Sequence, residues 1–157
     1  MRGLFVFLII VNVAFLTSCK KSDSKENEID GVEKDNSYIG LLKVSVDTPA
    51  EYEQSDVEVS TEIIGDTLLI MSLLKVKFSA QMPVTIDMTI KGIEITKNAE
   101  GYTLSGNEII PLGGIGEYPQ YIITDLTGKL TSKTLEFSMK SGGNPVTYSG
   151  IELKTGN

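Results

Sequence analysis

Histidine and tryptophan are both missing from this sequence of 157 residues, and cysteine occurs once, at Cys19. Because histidine is the most frequent general base and a common metal ligand, its absence excludes the usual catalytic and transition-metal arrangements. A single cysteine excludes an intramolecular disulfide framework. We therefore expect a protein that is not an enzyme, with no cofactor and no metal site.

Positive charge is also scarce. The chain has 14 lysines and arginines against 21 aspartates and glutamates, which gives a formal net charge of −7. Proteins that bind nucleic acids present basic faces, and the longest basic cluster here is the pair Lys20-Lys21. The charge balance therefore argues against a nucleic-acid partner.

Carboxylates cluster in the stretch VDTPAEYEQSDVE, residues 46–58. A pair of carboxylates can hydrolyse glycosides, and a larger set can bind Ca²⁺, which takes about six to eight oxygen ligands. The spacing here matches neither a calcium-binding loop motif nor a fixed catalytic pair. We interpret the stretch as a solvated acidic loop.

The N-terminal segment has the features of a signal peptide. Arg2 is followed by an apolar run over residues 4–16 that only Asn12 interrupts. A transmembrane helix needs about 20 apolar residues, whereas a run of about 7–15 is typical of a secretory signal. We therefore predict a signal peptide over residues 1–18.

The tetrapeptide LTSC at positions 16–19 resembles the lipobox of bacterial lipoproteins. The resemblance implies that the sulfur of Cys19 receives a diacylglycerol, that the chain is cut just before Cys19, and that the new amino group is acylated. Each buried CH₂ contributes about 0.8 kcal/mol, so two or three acyl chains would hold a soluble domain on a membrane. The alternative is a chance cysteine after an ordinary signal peptide.

Residues 19–36 are predicted to form a lipidated, flexible linker. Positions 20–36 contain four lysines and six acidic residues, with too little apolar surface to offset the entropy lost on ordering. The acidic residues Asp23, Glu26 and Glu28 loosely resemble the stretch that follows the cysteine in surface-exported lipoproteins. We expect a cell-envelope location on the outer membrane, with the surface and the periplasmic face both left open.

From residue 38 onward, apolar and polar residues alternate with a period of two, which is typical of β-strands. The segment TLLIMSLLKVKF, residues 67–78, is apolar on both faces at its start, and we interpret it as a strand rather than a short buried helix. In VTIDMTIKGIEI, residues 84–95, the apolar phase slips by one at Gly92, which predicts a β-bulge or a sharp bend. About eight strands at hairpin spacing fit either a β-sandwich or an up-and-down barrel.

Several short motifs together resemble those of the calycin-like β-barrel lipoproteins of Gram-negative gut anaerobes. In chain order they are YIG at 38–40, GYTLSG at 101–106, IP at 110–111, DLTGKL at 125–130, LEFSM at 135–139 and YSG at 148–150. The resemblance implies an all-β domain over residues 37–157, an eight-stranded antiparallel lipocalin-like barrel whose last strand closes on the first. Function in this family is largely unassigned.

One functional hypothesis is a membrane-anchored lipoprotein that binds a small apolar ligand inside the barrel. An eight-stranded barrel is just wide enough either to be filled by side chains or to hold one small molecule. The alternative for the inward-facing residues is that they form only a packed core. The candidate lining comprises Leu42, Val44, Leu74, Val76, Ile86, Met88, Leu104, Phe137, Met139 and Tyr148.

The alternative hypothesis is a cell-surface protein-interaction or adhesion module with a filled barrel core and an unknown protein partner. Functional contacts concentrate on loops, and long loops are predicted at residues 46–56 and 109–121. The second loop is rich in glycine and contains Tyr118 and Tyr121. Because tyrosine is favoured at interfaces, these two are candidate contact residues. The other possibility is that the loop covers one barrel mouth and packs its own tyrosines.

Overall fold

The computed structural model describes residues 35–45 and 51–154. Within these ranges the chain forms ten β-strands and one 3-10 turn, Pro119–Tyr121. The predicted signal peptide, Cys19 and nearly all of the predicted linker lie outside the described residues. The strands are β1 (Asp35–Val44), β2 (Tyr52–Ile64), β3 (Leu68–Val76), β4 (Ile86–Lys97), β5 (Tyr102–Gly106), β6 (Leu112–Gly113), β7 (Gly116–Glu117), β8 (Ile123–Leu130), β9 (Thr134–Ser141) and β10 (Asn144–Glu152).

Eight of these strands form a closed antiparallel β-barrel. Strands β1 to β5 and β8 to β10 each pair with their neighbours around the wall, and β10 pairs with β1, where Gly40 lies opposite Gly150. This closure confirms the predicted eight-stranded antiparallel barrel and excludes the β-sandwich. The hairpin β6–β7 is additional and joins the wall through Thr89 and Leu112. The alternation did not reveal it, because its strands are two residues long.

The boundaries of two elements differ from the prediction. Strand β1 begins at Asp35, so the last two residues of the range predicted as linker belong to the barrel. Strand β2 begins at Tyr52, so the second half of the loop predicted over residues 46–56 is in fact strand. The described part of that loop is therefore short.

The barrel has two distinct ends. The proximal end is the one where β1 begins at Asp35, and it includes the turns at residues 65–67, 98–101 and 131–133. The distal end is the opposite one, and it includes residues 77–85, 107–122 and 142–143. Because β1 runs from the proximal to the distal end, the first 34 residues join the barrel at the proximal end.

The predicted bulge at Gly92 is confirmed. Lys91 and Gly92 on β4 together lie opposite the single residue Ile70 on β3, and Gly92 has φ of 80°. The extra residue moves the inward phase by one, so that Ile90 and Ile93 are both buried. Glycine suits this position because it adopts positive φ without the steric penalty of a Cβ atom.

A second bulge, which lies in β3, was not predicted. Because of this bulge, the predicted inward placement of Leu74 was wrong. Lys75 has φ of 52°, and the register of β3 against β4 shifts between Leu73 and Val76. Leu73 and Val76 are both buried, whereas Leu74 points outward and is only partly buried. The backbone N–H of Lys75 donates to Oδ1 of Asp87 at 2.8 Å, which satisfies the group that the bulge removes from the ladder.

Candidate functional site

The barrel interior is packed with side chains. Eight of the ten predicted lining residues are buried, Ile86 is partly buried against the same cluster, and Leu74 is on the outer face. Many interior side chains have no surface that a water molecule can touch, either from outside or from an internal void. These fully enclosed residues include Tyr38, Leu42, Val44, Leu69, Met71, Leu73, Val76, Met88, Ile90, Ile93 and Leu135.

Tyr148 is held inside the barrel by a hydrogen bond and by ring stacking. Its hydroxyl donates to the carbonyl oxygen of Val57 at 3.1 Å, and its ring stacks on Phe137 with centroids 5.2 Å apart. The ring also lies against Gly150, where a Cβ atom would collide with it. Burial raises the pKa of the Tyr148 hydroxyl, and Glu58 adds to the shift. The YSG motif therefore has a packing role in this barrel.

Tyr38 closes the interior near the proximal end. Its hydroxyl donates to the carbonyl oxygen of Thr131 at 3.0 Å, in the turn between β8 and β9. The side chain of Asn36 donates to the same hydroxyl at 3.3 Å. Burial raises the pKa of Tyr38 to about 12, the Asn36 hydrogen bond lowers it, and Glu152 raises it. No buried side-chain polar atom among the described residues lacks a hydrogen-bond partner.

Four side chains cover the distal mouth, and we call them the cap: Phe78, Met82, Tyr118 and Tyr121. Tyr121 packs on Phe78 with ring centroids 5.2 Å apart, and Tyr118 meets Tyr121 edge to face at 6.2 Å. Met82 Sδ accepts a hydrogen bond from the backbone N–H of Phe78 at 3.0 Å and lies 4.0 Å from the Tyr121 hydroxyl. Phe78 is therefore buried beneath the loop that carries the two tyrosines.

The loop 109–121 is held onto the barrel by several contacts. The backbone N–H of Tyr118 donates to the carbonyl oxygen of Pro111 at 2.8 Å, and the Tyr118 ring covers Gly113 so closely that a Cβ there would collide with it. Ser141 Oγ donates to the carbonyl oxygen of Tyr121 at 3.4 Å. Both tyrosines are partly buried, so the loop does pack its own aromatic residues over the mouth.

The most exposed apolar side chains at the distal end are different residues. Ile115, at the tip of the β6–β7 hairpin, is 93% exposed, and Val84 and Ile110 are also exposed. Sequence reasoning did not select them. The sequence does contain a feature that could have identified Ile115, which is its position between Gly114 and Gly116. A large apolar residue in a glycine-rich turn has no neighbouring core to pack against, so its side chain is expected to be exposed.

The acidic stretch is partly neutralised where it is described. Lys43 Nζ lies 2.5 Å from Glu53 and 3.9 Å from Glu51, and the hydrogen bond to Glu53 raises the pKa of Lys43. Among residues 35–45 and 51–154, no group of three or more acidic, histidine or cysteine side chains is arranged to hold a metal ion. The same residues include no helix long and apolar enough to cross a membrane.

The outer wall carries a row of hydroxyl groups that was not predicted. Ser37, Ser60, Ser72 and Thr89 lie opposite one another on strands β1 to β4, and the hydroxyls of Ser72 and Thr89 are 2.9 Å apart. A polar groove of about 540 Å³ runs beside this row. The row depends on cross-strand register, which single-strand alternation does not determine.

Comparison of the chain with protein-family models, with curated proteins and with solved structures finds no match.

Proposed function

We propose that this protein is a lipid-anchored component of the bacterial cell envelope whose calycin-like barrel is an interaction module with a filled core. The observation that carries the proposal is that the N-terminal attachment and the exposed apolar residues lie at opposite ends of the barrel. The chain that leads back to Cys19 joins the barrel at Asp35, while the cap and the exposed residues Ile110 and Ile115 lie at the far end. The anchored barrel thus presents its distal end away from the membrane.

The lipid anchor is supported by the LTSC tetrapeptide and by the short apolar run that precedes it. The proposed location is the outer membrane, with lipid on Cys19 as the membrane contact. Metabolic labelling with an alkyne-bearing fatty acid tests the anchor. The wild-type chain is expected to incorporate label and to fractionate with membranes. The Cys19→Ala chain, as the matched control, is expected to incorporate none; equal labelling of both chains would contradict the anchor.

The packed interior favours an interaction module over a storage barrel. Leu42, Val76 and Met88 are fully enclosed, and Tyr148 spans from β10 to Val57 on β2. A ligand of more than a few atoms would have to displace such side chains, and burying them is a main source of stability. The outer surface of the distal end is therefore the better candidate for contacts.

Site-specific photocrosslinking in cells tests whether the distal end is the contact surface. A photoreactive amino acid at Ile115 is expected to give one or a few discrete adducts. The control carries the same photoreactive amino acid in place of Glu136, which is exposed on β9 in the barrel wall. Adducts at Glu136 but none at Ile115 would contradict the proposed orientation of the interface.

A second candidate function is the binding of a small apolar ligand beneath the cap. The observation that favours it is the placement of Met82, Met88 and Met139 in the distal half of the barrel. Methionine side chains are flexible and can repack around a guest. An environment-sensitive fatty-acid probe is expected to gain fluorescence on binding and to lose that gain in Met88→Ile. A probe that does not respond to the wild-type protein would remove this candidate.

A further inference from the structure

The turn between β2 and β3, at the proximal end, exposes a pair of apolar side chains. Ile64 and Leu68 lie directly opposite each other across this turn and are 43% and 40% exposed. Single exposed apolar residues are common on soluble proteins. A matched pair at the tip of a hairpin, on the end where the N-terminal chain joins, calls for an explanation.

The position of this pair relative to the N-terminal chain is set by strand register. Asp35, the first residue of β1, lies opposite Glu62 on β2, two residues before Ile64. The described chain therefore begins beside the turn, and the link back to Cys19 attaches there. Fifteen residues lie between Cys19 and Asp35, a reach of at most about 55 Å, so a membrane holding Cys19 is within reach of the turn.

The turn is fixed rather than free to fold back. The backbone N–H of Ile95 on β4 donates to the carbonyl oxygen of Thr67 at 2.8 Å, which ties the turn to the adjacent strand. Gly65 takes φ of 62° and allows the tight reversal. Ile151, 64% exposed on β10, adds a further apolar side chain to the outer wall of the same half.

We propose that the proximal end rests on the bilayer surface, with Ile64 and Leu68 inserted at the headgroup boundary of uncharged or zwitterionic lipids. The inference depends on the proposed lipid anchor, which raises the local concentration of the turn at the membrane to about the millimolar range. Two apolar side chains bind a membrane only weakly by themselves, so the anchor and the turn act together.

The charges around the turn determine which class of lipid it would contact. Glu62, Asp66 and Glu94 flank the apolar pair, with Glu94 directly opposite Leu68. Anionic lipids attract basic segments and repel carboxylates within a Debye length. Docking is therefore strongest on zwitterionic bilayers, weakens as anionic lipid is added at low salt, and recovers when salt screens the repulsion.

The absence of tryptophan from the chain makes the test direct. Leu68→Trp places a single tryptophan at the turn, and Ile115→Trp places one at the exposed distal tip as the matched control. The full chain is expressed in a lipidating bacterium, purified, and reconstituted in vesicles of brominated phosphatidylcholine, which quenches tryptophan on contact. We expect the Leu68→Trp fluorescence to fall to about half, and that of Ile115→Trp to stay within about a tenth of its value in unbrominated vesicles.

Adding Ile64→Glu to Leu68→Trp is expected to abolish most of the quenching without unfolding the barrel, because the turn is exposed. Equal quenching of Leu68→Trp and Ile115→Trp, or no quenching of either, would overturn the docking inference. Intact mass of the same samples reports the anchor separately. If no acyl chains are present, the free thiol of Cys19 is coupled to a maleimide lipid, and the quenching measurement is repeated on the tethered chain.

Discussion

The hydroxyl of Tyr148 on the last strand donates a hydrogen bond to the carbonyl oxygen of Val57 on β2, at 3.1 Å, across the intervening strand β1. The bond therefore stabilises the pairing of β10 with β1, where the barrel closes; we call this pairing the seam. Tyr148→Phe leaves the Val57 carbonyl without this donor and is expected to lower the free energy of unfolding by about 1–2 kcal/mol. Urea denaturation measures the loss. Tyr118→Phe in the cap is the control, expected to change stability by less than about 0.5 kcal/mol; equal effects would contradict this stabilising role.

Alkaline pH is expected to destabilise the barrel, in part through Tyr38. Burial raises the pKa of this hydroxyl from 10.0 to about 12 in the folded state. The folded barrel therefore keeps its full stability below about pH 10, and loses about 2–3 kcal/mol as pH rises to about 12, because the unfolded chain ionises first. Thermal unfolding of wild type and Tyr38→Phe across this window measures the difference. A wild-type curve that falls no more steeply than that of Tyr38→Phe would rule out the role of Tyr38.

Gly40 has no room for a side chain. A Cβ atom there would collide with the carbonyl oxygen of Ser149 and with the backbone of Gly150 on the paired strand. Gly40→Ala is expected to lower the free energy of unfolding by about 1–3 kcal/mol, since backbone atoms cannot move aside cheaply. Gly114→Ala, where nothing lies within 4 Å, is the matched control and is expected to be close to neutral. Comparable losses in both variants would show that the seam is not tightly packed.

For the bulge at Lys75, we expect two substitutions of the same residue to change the stability of the protein in opposite directions. A lysine at φ of 52° is strained, and glycine relieves that strain. Lys75→Gly is expected to stabilise the protein by about 0.5–1 kcal/mol, and Lys75→Val to destabilise it. Lys129→Gly, on the regular and exposed part of β8, is the control and should cost about 0.5–1 kcal/mol. A loss of stability in Lys75→Gly would contradict the left-handed backbone at this residue.

Regular strands were predictable from alternation, and irregular ones only where glycine marked the irregularity. In Thr134–Ser141 each apolar residue faces inward without a break, so simple alternation describes the whole strand. The bulge at Gly92 was visible because both the glycine and the change of phase lie in the sequence. The bulge at Lys75 was not visible, because leucines flank both faces of β3 and lysine is a poor marker of positive φ.

The candidate site was less predictable than the fold. The two tyrosines of the loop were identified, but their partners Phe78 and Met82 lie about 40 residues away in the sequence and meet them only in the folded barrel. The exposed pair Ile64 and Leu68 reads in sequence as part of two apolar strands. Only the register between β2 and β3 shows that the two side chains lie directly opposite each other.

Native mass spectrometry of the protein purified from its own membranes tests the lipid anchor and the filled core together. We expect a chain that begins at Cys19, carries two or three acyl chains, and holds no other small molecule, because the barrel interior is filled by its own side chains. A mass without acyl chains would contradict the anchor. A stoichiometric non-covalent small molecule would contradict the filled-core interaction module and favour the apolar-ligand barrel instead.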